Sequence, residues 1–272
     1  MDIILYIIIF LIGIFFGSFY TLAVYRIPKR EDIIHTHSYC PNCKHKLGVL
    51  DLIPVFSYIF LGGKCRYCKK KIRPRYFILE ILSGIFFVLV AYLLGLSYQN
   101  MSVEAILNFV FFVLYFTFIV LFAGIDSEYR KINKQVLMYG IIISLMYIVY
   151  LCIIDLTSIY RYGIYLVLYI ILLLTDTIYL KKKALDSYPL DILLAIIIMI
   201  IFTSEYIVIN SCIATLLSIA IYLIIRKVQI AKGKSKKTET EINEEISVGL
   251  YMSITNILFY IIILGICNFG VK

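Results

Sequence analysis

Apolar runs of roughly 20 residues recur along the whole chain, and a helix of that length matches the roughly 30 Å hydrocarbon core of a bilayer. Eight such spans can be read, at 3–25, 77–97, 103–125, 135–155, 161–180, 190–204, 206–225 and 248–268, the sixth being short. With 62% hydrophobic and 16% charged residues over 272 positions, a soluble domain is excluded. The expected fold class is an all-α polytopic membrane protein of about eight transmembrane helices. A small polar module is expected to interrupt it after the first helix. That first span ends in YRIPKR rather than in a small-residue cleavage site, so it reads as a retained helix and not a signal peptide.

The formal net charge of +9 could suggest nucleic acid as a partner, but the distribution of the charge gives a different account. If the chain starts outside, segments 26–76, 126–134, 181–189 and 226–247 fall inside, and they carry 12, 3, 3 and 6 of the 26 Lys and Arg. Only Arg161 and Lys272 are left on the outer side. This is the positive-inside asymmetry of a membrane protein with its N-terminus outside. The basic charge is therefore a topology signal, with anionic lipid headgroups as its natural partner and no nucleic acid implied. The expected organisation is a first helix (1–25), a polar module (26–76) and a seven-helix body (77–272) with a mobile, charged inner loop at 226–247.

Within the module the sequence C-x2-C-x21-C-x2-C supplies Cys40, Cys43, Cys65 and Cys68. On the reducing inner side such a set points to metal rather than disulfides. Four thiolates are the ligand set of tetrahedral structural zinc, and a site with four protein ligands is closed, so it folds the module rather than catalysing. His35, His37 and His45 read as ordinary loop histidines. The intervening LDLIPVFSYIFLGG is apolar enough to lie on the membrane surface or on the helical body. Cys152, Cys212 and Cys267 lie singly in apolar spans, where a thiol behaves as a small hydrophobe.

Acids at the inner ends of the spans are the candidates for chemistry, because charge near hydrocarbon is costly and usually functional. Asp126 follows the third span, Asp191 opens the sixth and Asp186 precedes it. Asp176 and Glu80 lie slightly deeper in their spans. Two carboxylates brought together in a partly dry site share a proton and activate water, which is aspartyl-protease chemistry. Helix capping is an equally good account of any one of them taken alone, Asp191 above all.

Several stretches, in order, resemble the type IV prepilin peptidase family. They are FFGSFYTLAVYRIPKR, CPNCKHKL, DLIPVFSYIFLGGKCRYCKKKI, RPRYFILEILSG, GIDSEYRKINKQ and, in degraded form, EISVGLYMSI. The resemblance implies a membrane aspartic endopeptidase that removes the basic leader from type IV prepilins or pseudopilins at the cytoplasmic face of the bacterial plasma membrane. It implies N-methylation of the new N-terminus as well, with S-adenosylmethionine as methyl donor. Carried over, Asp126 is the first catalytic acid. The second belongs in a G-x-G-D-x-K stretch, where this chain reads ALDSYPLDILLA. Asp191 is the better match and Asp186 the fallback. The glycines and the lysine are missing, and Asn133 stands where the family has proline. Two other readings remain open: methyl transfer alone with a degraded peptidase site, or a non-catalytic zinc-containing scaffold of a pilus or secretion assembly. No motif locates the S-adenosylmethionine site, and nothing in the sequence fixes the oligomeric state.

Overall fold

The structure is a computed structural model that describes residues 2–99, 101–154, 159–175, 188–231 and 246–269. Among the described residues there are nine α-helices and no strand beyond two isolated bridges. They are α1 (Asp2–Arg26), α2 (Phe56–Phe60), α3 (Pro74–Leu93), α4 (Val103–Tyr129), α5 (Lys134–Ile154), α6 (Ile159–Leu174), α7 (Tyr188–Phe202), α8 (Glu205–Ala231) and α9 (Val248–Phe269). Apart from the short α2, they fall on the eight apolar spans. Six of them (α1, α3, α4, α5, α8 and α9) are long and apolar enough to cross a membrane, while the described parts of α6 and α7 are shorter apolar helices. A helix satisfies every backbone donor and acceptor within its own segment, which is why long apolar runs have so few other options in lipid. The helix α8 continues to Ala231, so the first residues of the inner loop expected at 226–247 are helical. Asp176, Asp186 and the tract 232–245 lie outside the described residues.

Helix starts follow local chemistry. Pro74 opens α3 after an extended Arg73, a position where a missing N–H costs nothing. Asn133 caps α5, its Oδ1 accepting from the Gln135 amide at 2.8 Å, so the residue standing in place of a proline still starts a helix. Pro189 is the second residue of α7, again in the tolerated first turn.

The chain divides into two compact units, residues 1–113 and 114–272, with the division falling inside α4. In the first unit α1 and α3 pack with almost no side chain between them. A Cβ on Gly13 would lie 2.7 Å from the Gly84 Cα, and one on Gly17 would lie 2.7 Å from the Glu80 Cα. Small residues that let backbones touch are the usual glue between helices in lipid, where there is no hydrophobic drive to associate. Phe16 and Phe87 close the seam with ring centroids 5.5 Å apart. The opposite face of α1 leaves Ile3, Ile7, Leu11 and Phe15 exposed, which suits a lipid-facing surface.

The second unit is tied by polar and aromatic contacts between helices. The Tyr115 hydroxyl donates to Asn256 Oδ1 at 2.6 Å, and Phe202 stacks between Tyr115 and Tyr147 with centroids at 4.8 and 4.7 Å. Ser144 and Tyr169 hydroxyls meet at 3.0 Å, as do Thr215 and Thr255. Contacts of this kind contribute about 0.6 to 2 kcal/mol each in membranes.

Candidate functional site

The four module cysteines converge. Their sulfurs all lie within 4.8 Å of one another, and Cys40 Sγ is 3.9 Å from Cys68 Sγ. A tetrahedron of Zn–S bonds near 2.3 Å has edges of about 3.8 Å, so the donor set fits zinc. The two pairs are built alike. Cys40 N donates to His45 O at 3.0 Å and Lys44 N to Cys40 O at 2.8 Å. Cys65 N donates to Lys70 O at 2.9 Å and Lys69 N to Cys65 O at 3.0 Å. Lys44 and Lys69 both take left-handed backbone, φ 60° and 59°, and each knuckle is closed by one bridge, Tyr39 to Lys46 and Lys64 to Lys71.

Two of the thiols are displaced in opposite directions. The Lys70 amide and the Asn42 side chain hold Cys68 down at about 6. The His45 amide pulls Cys43 down, but burial and hydrogen bonding to Cys40 and Cys68 outweigh it and push it up to about 11. Crowded thiols spread in this way because successive negative charges repel; a divalent cation between them removes that penalty. The histidines take other roles. His35 Nδ1 meets Asp32 at 3.0 Å, and the His45 ring packs 3.6 Å from that of Tyr67. Arg66 Nε donates to Asp51 Oδ1 at 2.6 Å, pinning the turn before α2 to the second knuckle. Burial opposes ionisation of Asp51, but the hydrogen bonds from Arg66, the Gly48 amide and Tyr67, together with the Arg66 charge, outweigh it and hold the carboxyl below its ordinary range.

The base of the module carries a buried charge, one of those that the basic-residue count placed on the inner side. Arg26 is 1% exposed. It reaches from the end of α1 to three carbonyls, those of Asp32 and Thr36 at 2.9 Å and His37 at 3.1 Å. The arginine of the YRIPKR stretch thus folds the 32–37 loop over itself. Nearby, Glu80 in α3 is also buried and accepts from the Val55 amide at 2.7 Å.

In the second unit Asp126 lies near the end of α4 and is fully buried. The Tyr188 hydroxyl donates to its Oδ1 at 3.0 Å, and the Gly249 amide donates to its Oδ2 at 2.9 Å. Gly249 is the second residue of α9, so the carboxylate sits on the positive end of that helix, where unpaired amides collect. Close approach there requires glycine: a Cβ on Gly249 would lie 2.9 Å from Asp126 Oδ2. Asp191 is buried in the first turn of α7. Tyr188 precedes it by three residues, so the two share a helix face. The helix start that carries Asp191 is therefore joined to Asp126 by a hydrogen bond. Residue types and spacing had flagged Asp126, Asp191 and the cysteines. Tyr188 and Gly249 were missed as site residues, although the segment around Gly249 had drawn notice as a degraded motif.

A helical, multi-pass membrane protein with a four-cysteine module after its first helix is the class that this fold defines. Residues 11–94 match the family described as Bacterial Peptidase A24 N-terminal domain. The chain is 34% identical over 93 residues to the prepilin leader peptidase/N-methyltransferase of Klebsiella pneumoniae, covering 32% of this chain and 41% of that protein. To the protein of the same name from Vibrio cholerae it is 31% identical over 144 residues, 42% of this chain and 56% of the relative. To that from Bacillus subtilis it is 29% identical over 132 residues, 48% of this chain and 50% of the relative. The chain thus spans about half the length of the curated relatives it matches. No solved structure matches it. The similarity to prepilin leader peptidases is thus shown for the N-terminal part of the chain, residues 11–94, by the family model.

Proposed function

We propose that this protein is a membrane aspartic endopeptidase that cuts the basic leader from type IV prepilins or pseudopilins at the cytoplasmic face of the bacterial inner membrane. It then methylates the amino terminus so exposed. The observation that carries the peptidase reading is the buried Asp126, held by the Tyr188 hydroxyl that shares a helix face with Asp191. The N-terminus lies outside in this reading, so the module and the inner ends of α4 and α7 face the cytoplasm, as the Lys and Arg distribution requires.

The reaction assigns one proton to the pair. Both Asp126 oxygens accept hydrogen bonds, so Asp126 takes the ionised role and Asp191 the protonated one. Asp126 removes a proton from water as its oxygen attacks the scissile carbonyl carbon, while Asp191 gives its proton to the carbonyl oxygen. Collapse of the resulting diol breaks the C–N bond. The proton held by Asp126 passes to the departing nitrogen, and a diol hydroxyl returns one to Asp191. In the second reaction the free amine of the product would form a bond to the methyl carbon of S-adenosylmethionine as the C–S bond breaks, S-adenosylhomocysteine leaving and the amine losing a proton. Zinc would be held by Cys40, Cys43, Cys65 and Cys68 and would order the module, taking no part in either reaction.

A second reading, methyl transfer with a lapsed peptidase site, draws on two specific observations. The family match covers residues 11–94 alone, and YPLD replaces the glycines before the second aspartate. The test is to incubate native membranes carrying this protein with a prepilin and follow leader removal and N-methylation in the product by mass spectrometry. Cleavage with methylation supports the first reading. Methylation only of a pre-cleaved substrate supports the second, and neither activity would leave the scaffold.

A further inference from the structure

We propose that α2 is an anchor in the phospholipid leaflet on the module's side of the membrane, with Phe56, Ile59 and Phe60 against acyl chains and the lysines that follow among the headgroups. The tract LDLIPVFSYIFLGG had two possible resting places, the membrane surface and the helical body. In the structure its large side chains turn away from the helices of their own unit. Phe56, Ile59 and Phe60 are 50%, 58% and 84% exposed, and spacings of three and four put them on one helix face. Tyr58, on the other side, stacks on Phe77 of α3 with centroids 4.9 Å apart. Just upstream, Val49, Leu50 and Ile53 are exposed as well. An apolar patch of this kind marks a surface made for a protein or a membrane, and its depth decides for the membrane.

The depth follows from the seam between α1 and α3. Gly13 faces Gly84 and Gly17 faces Glu80, so the two helices run antiparallel in a fixed register. The end of this pair far from the module is marked by Asp2, whose carboxylate accepts from the Tyr98 amide at 2.8 Å. From Asp2 to Gly17 a helix rises about 22 Å, and from Gly17 to Arg26 about 13 Å more. The hydrocarbon core is about 30 Å thick, so the level shared by Gly17 and Glu80 falls within it. The Val55 amide donates to Glu80 at 2.7 Å, which holds the start of α2 at that level instead of out in water. This also accounts for a carboxylate so far along the membrane face of α3. Charge there is costly unless bonded, and here it tethers the module. Val55, a β-branched residue, is held at φ 65°, a conformation that persists only where its surroundings fix it.

Backbone at this depth has to satisfy its own donors. The turn leaving α2 does so, the amides of Gly62, Gly63 and Lys64 donating to the carbonyls of Ile59, Tyr58 and Leu61 at 3.1, 2.8 and 3.2 Å. Gly62 and Gly63, both at positive φ, turn the chain back, and exposed Lys64, Lys69 and Lys71 come next. Apolar side chains followed by lysines match a leaflet that is apolar within and anionic at its surface.

The chain contains no tryptophan, so a single introduced one reports alone. Full-length Phe60→Trp, Ile59→Trp and, on the first knuckle, Lys46→Trp are placed in vesicles of phosphatidylglycerol and phosphatidylcholine, with zinc content as the check on folding of the module. Quenching by lipids brominated on the acyl chain is expected to be at least about threefold stronger for Phe60→Trp and Ile59→Trp than for Lys46→Trp, with the opposite order for aqueous acrylamide. The wild type gives a reading free of substitution: a diazirine carried on a phospholipid acyl chain should label the tryptic peptide 47–64. Emission from positions 59 and 60 quenched by acrylamide and not by brominated lipid would put α2 in water and overturn the proposal. Emission quenched by neither, with peptide 47–64 unlabelled, would show that protein covers this face and would overturn it equally.

Discussion

Tyr188 donates its phenolic hydrogen to Asp126 at 3.0 Å, across 62 positions of sequence. The tyrosine occupies the stretch where the family pattern has glycine, so the departure from the motif brings a side-chain donor to the first aspartate. Removing the hydroxyl in Tyr188→Phe leaves the ring to fill its place and takes away one hydrogen bond. A loss of about 1 to 2 kcal/mol, or roughly tenfold in the rate of leader removal, is expected. Rates measured on a fluorescent prepilin peptide at saturating and limiting substrate would check it, and an unchanged rate would remove Tyr188 from the mechanism.

Gly249 makes a sharper prediction, because a Cβ there would also lie 2.8 Å from the Phe122 ring. In Gly249→Ala either α9 or the Asp126 side chain must shift, at about 1 to 3 kcal/mol of overpacking. Cleavage should fall by more than tenfold while the helical circular dichroism of the membrane body is kept. Wild-type cleavage in this variant would show that the amide contact to Asp126 is dispensable.

The module should depend on its metal. Cys40→Ser or Cys65→Ser removes a buried ligand from one knuckle, and each is expected to abolish zinc in the purified protein by elemental analysis. Chelation or acidification of the wild type should do the same, since the ligands bind as thiolates and protons compete with the cation. Protease sensitivity between residues 30 and 73 should then rise sharply. Full zinc occupancy in Cys65→Ser would refute the four-sulfur site.

Left-handed backbone at Lys44 and Lys69 predicts an unusual tolerance. Lys69→Gly relieves an L-residue of a conformation costing about 1 kcal/mol, whereas Lys69→Val adds a branched side chain to it. Zinc affinity measured with a competing chelator should be kept or improved in the glycine variant and lowered in the valine variant. The reverse order would contradict the knuckle geometry.

How much of this was legible in the sequence depended on the range of the interaction concerned. The helices were legible because lipid leaves a long apolar run few other ways to pair its backbone. The four cysteines were legible because two short spacings set the donors of each knuckle locally. Asp126 and Asp191 stood out as acids at the edge of apolar spans. What surrounds Asp126 did not, since Tyr188 and Gly249 reach it over 62 and 123 positions and neither residue type announces such a contact. Arg26 was counted only as one of the inner-side basic residues, and the folded 32–37 loop shows why an arginine at that helix end is buried. The sequence YPLD fitted the family pattern poorly as text. As structure it is a proline-started helix that buries Asp191 and aims a hydroxyl at Asp126.

The central claim is that Asp126 and Asp191 act on one water. The most direct measurement is leader cleavage in native membranes by Asp126→Asn, Asp191→Asn and Asp186→Asn, each expressed to the wild-type level. Losing a general acid or base from such a pair removes at least about 10²-fold of rate. The account predicts that loss for Asp126→Asn and Asp191→Asn and near-wild-type cleavage for Asp186→Asn. Retained cleavage in either of the first two variants would contradict the dyad, and loss confined to Asp126→Asn and Asp186→Asn would move the second acid to Asp186.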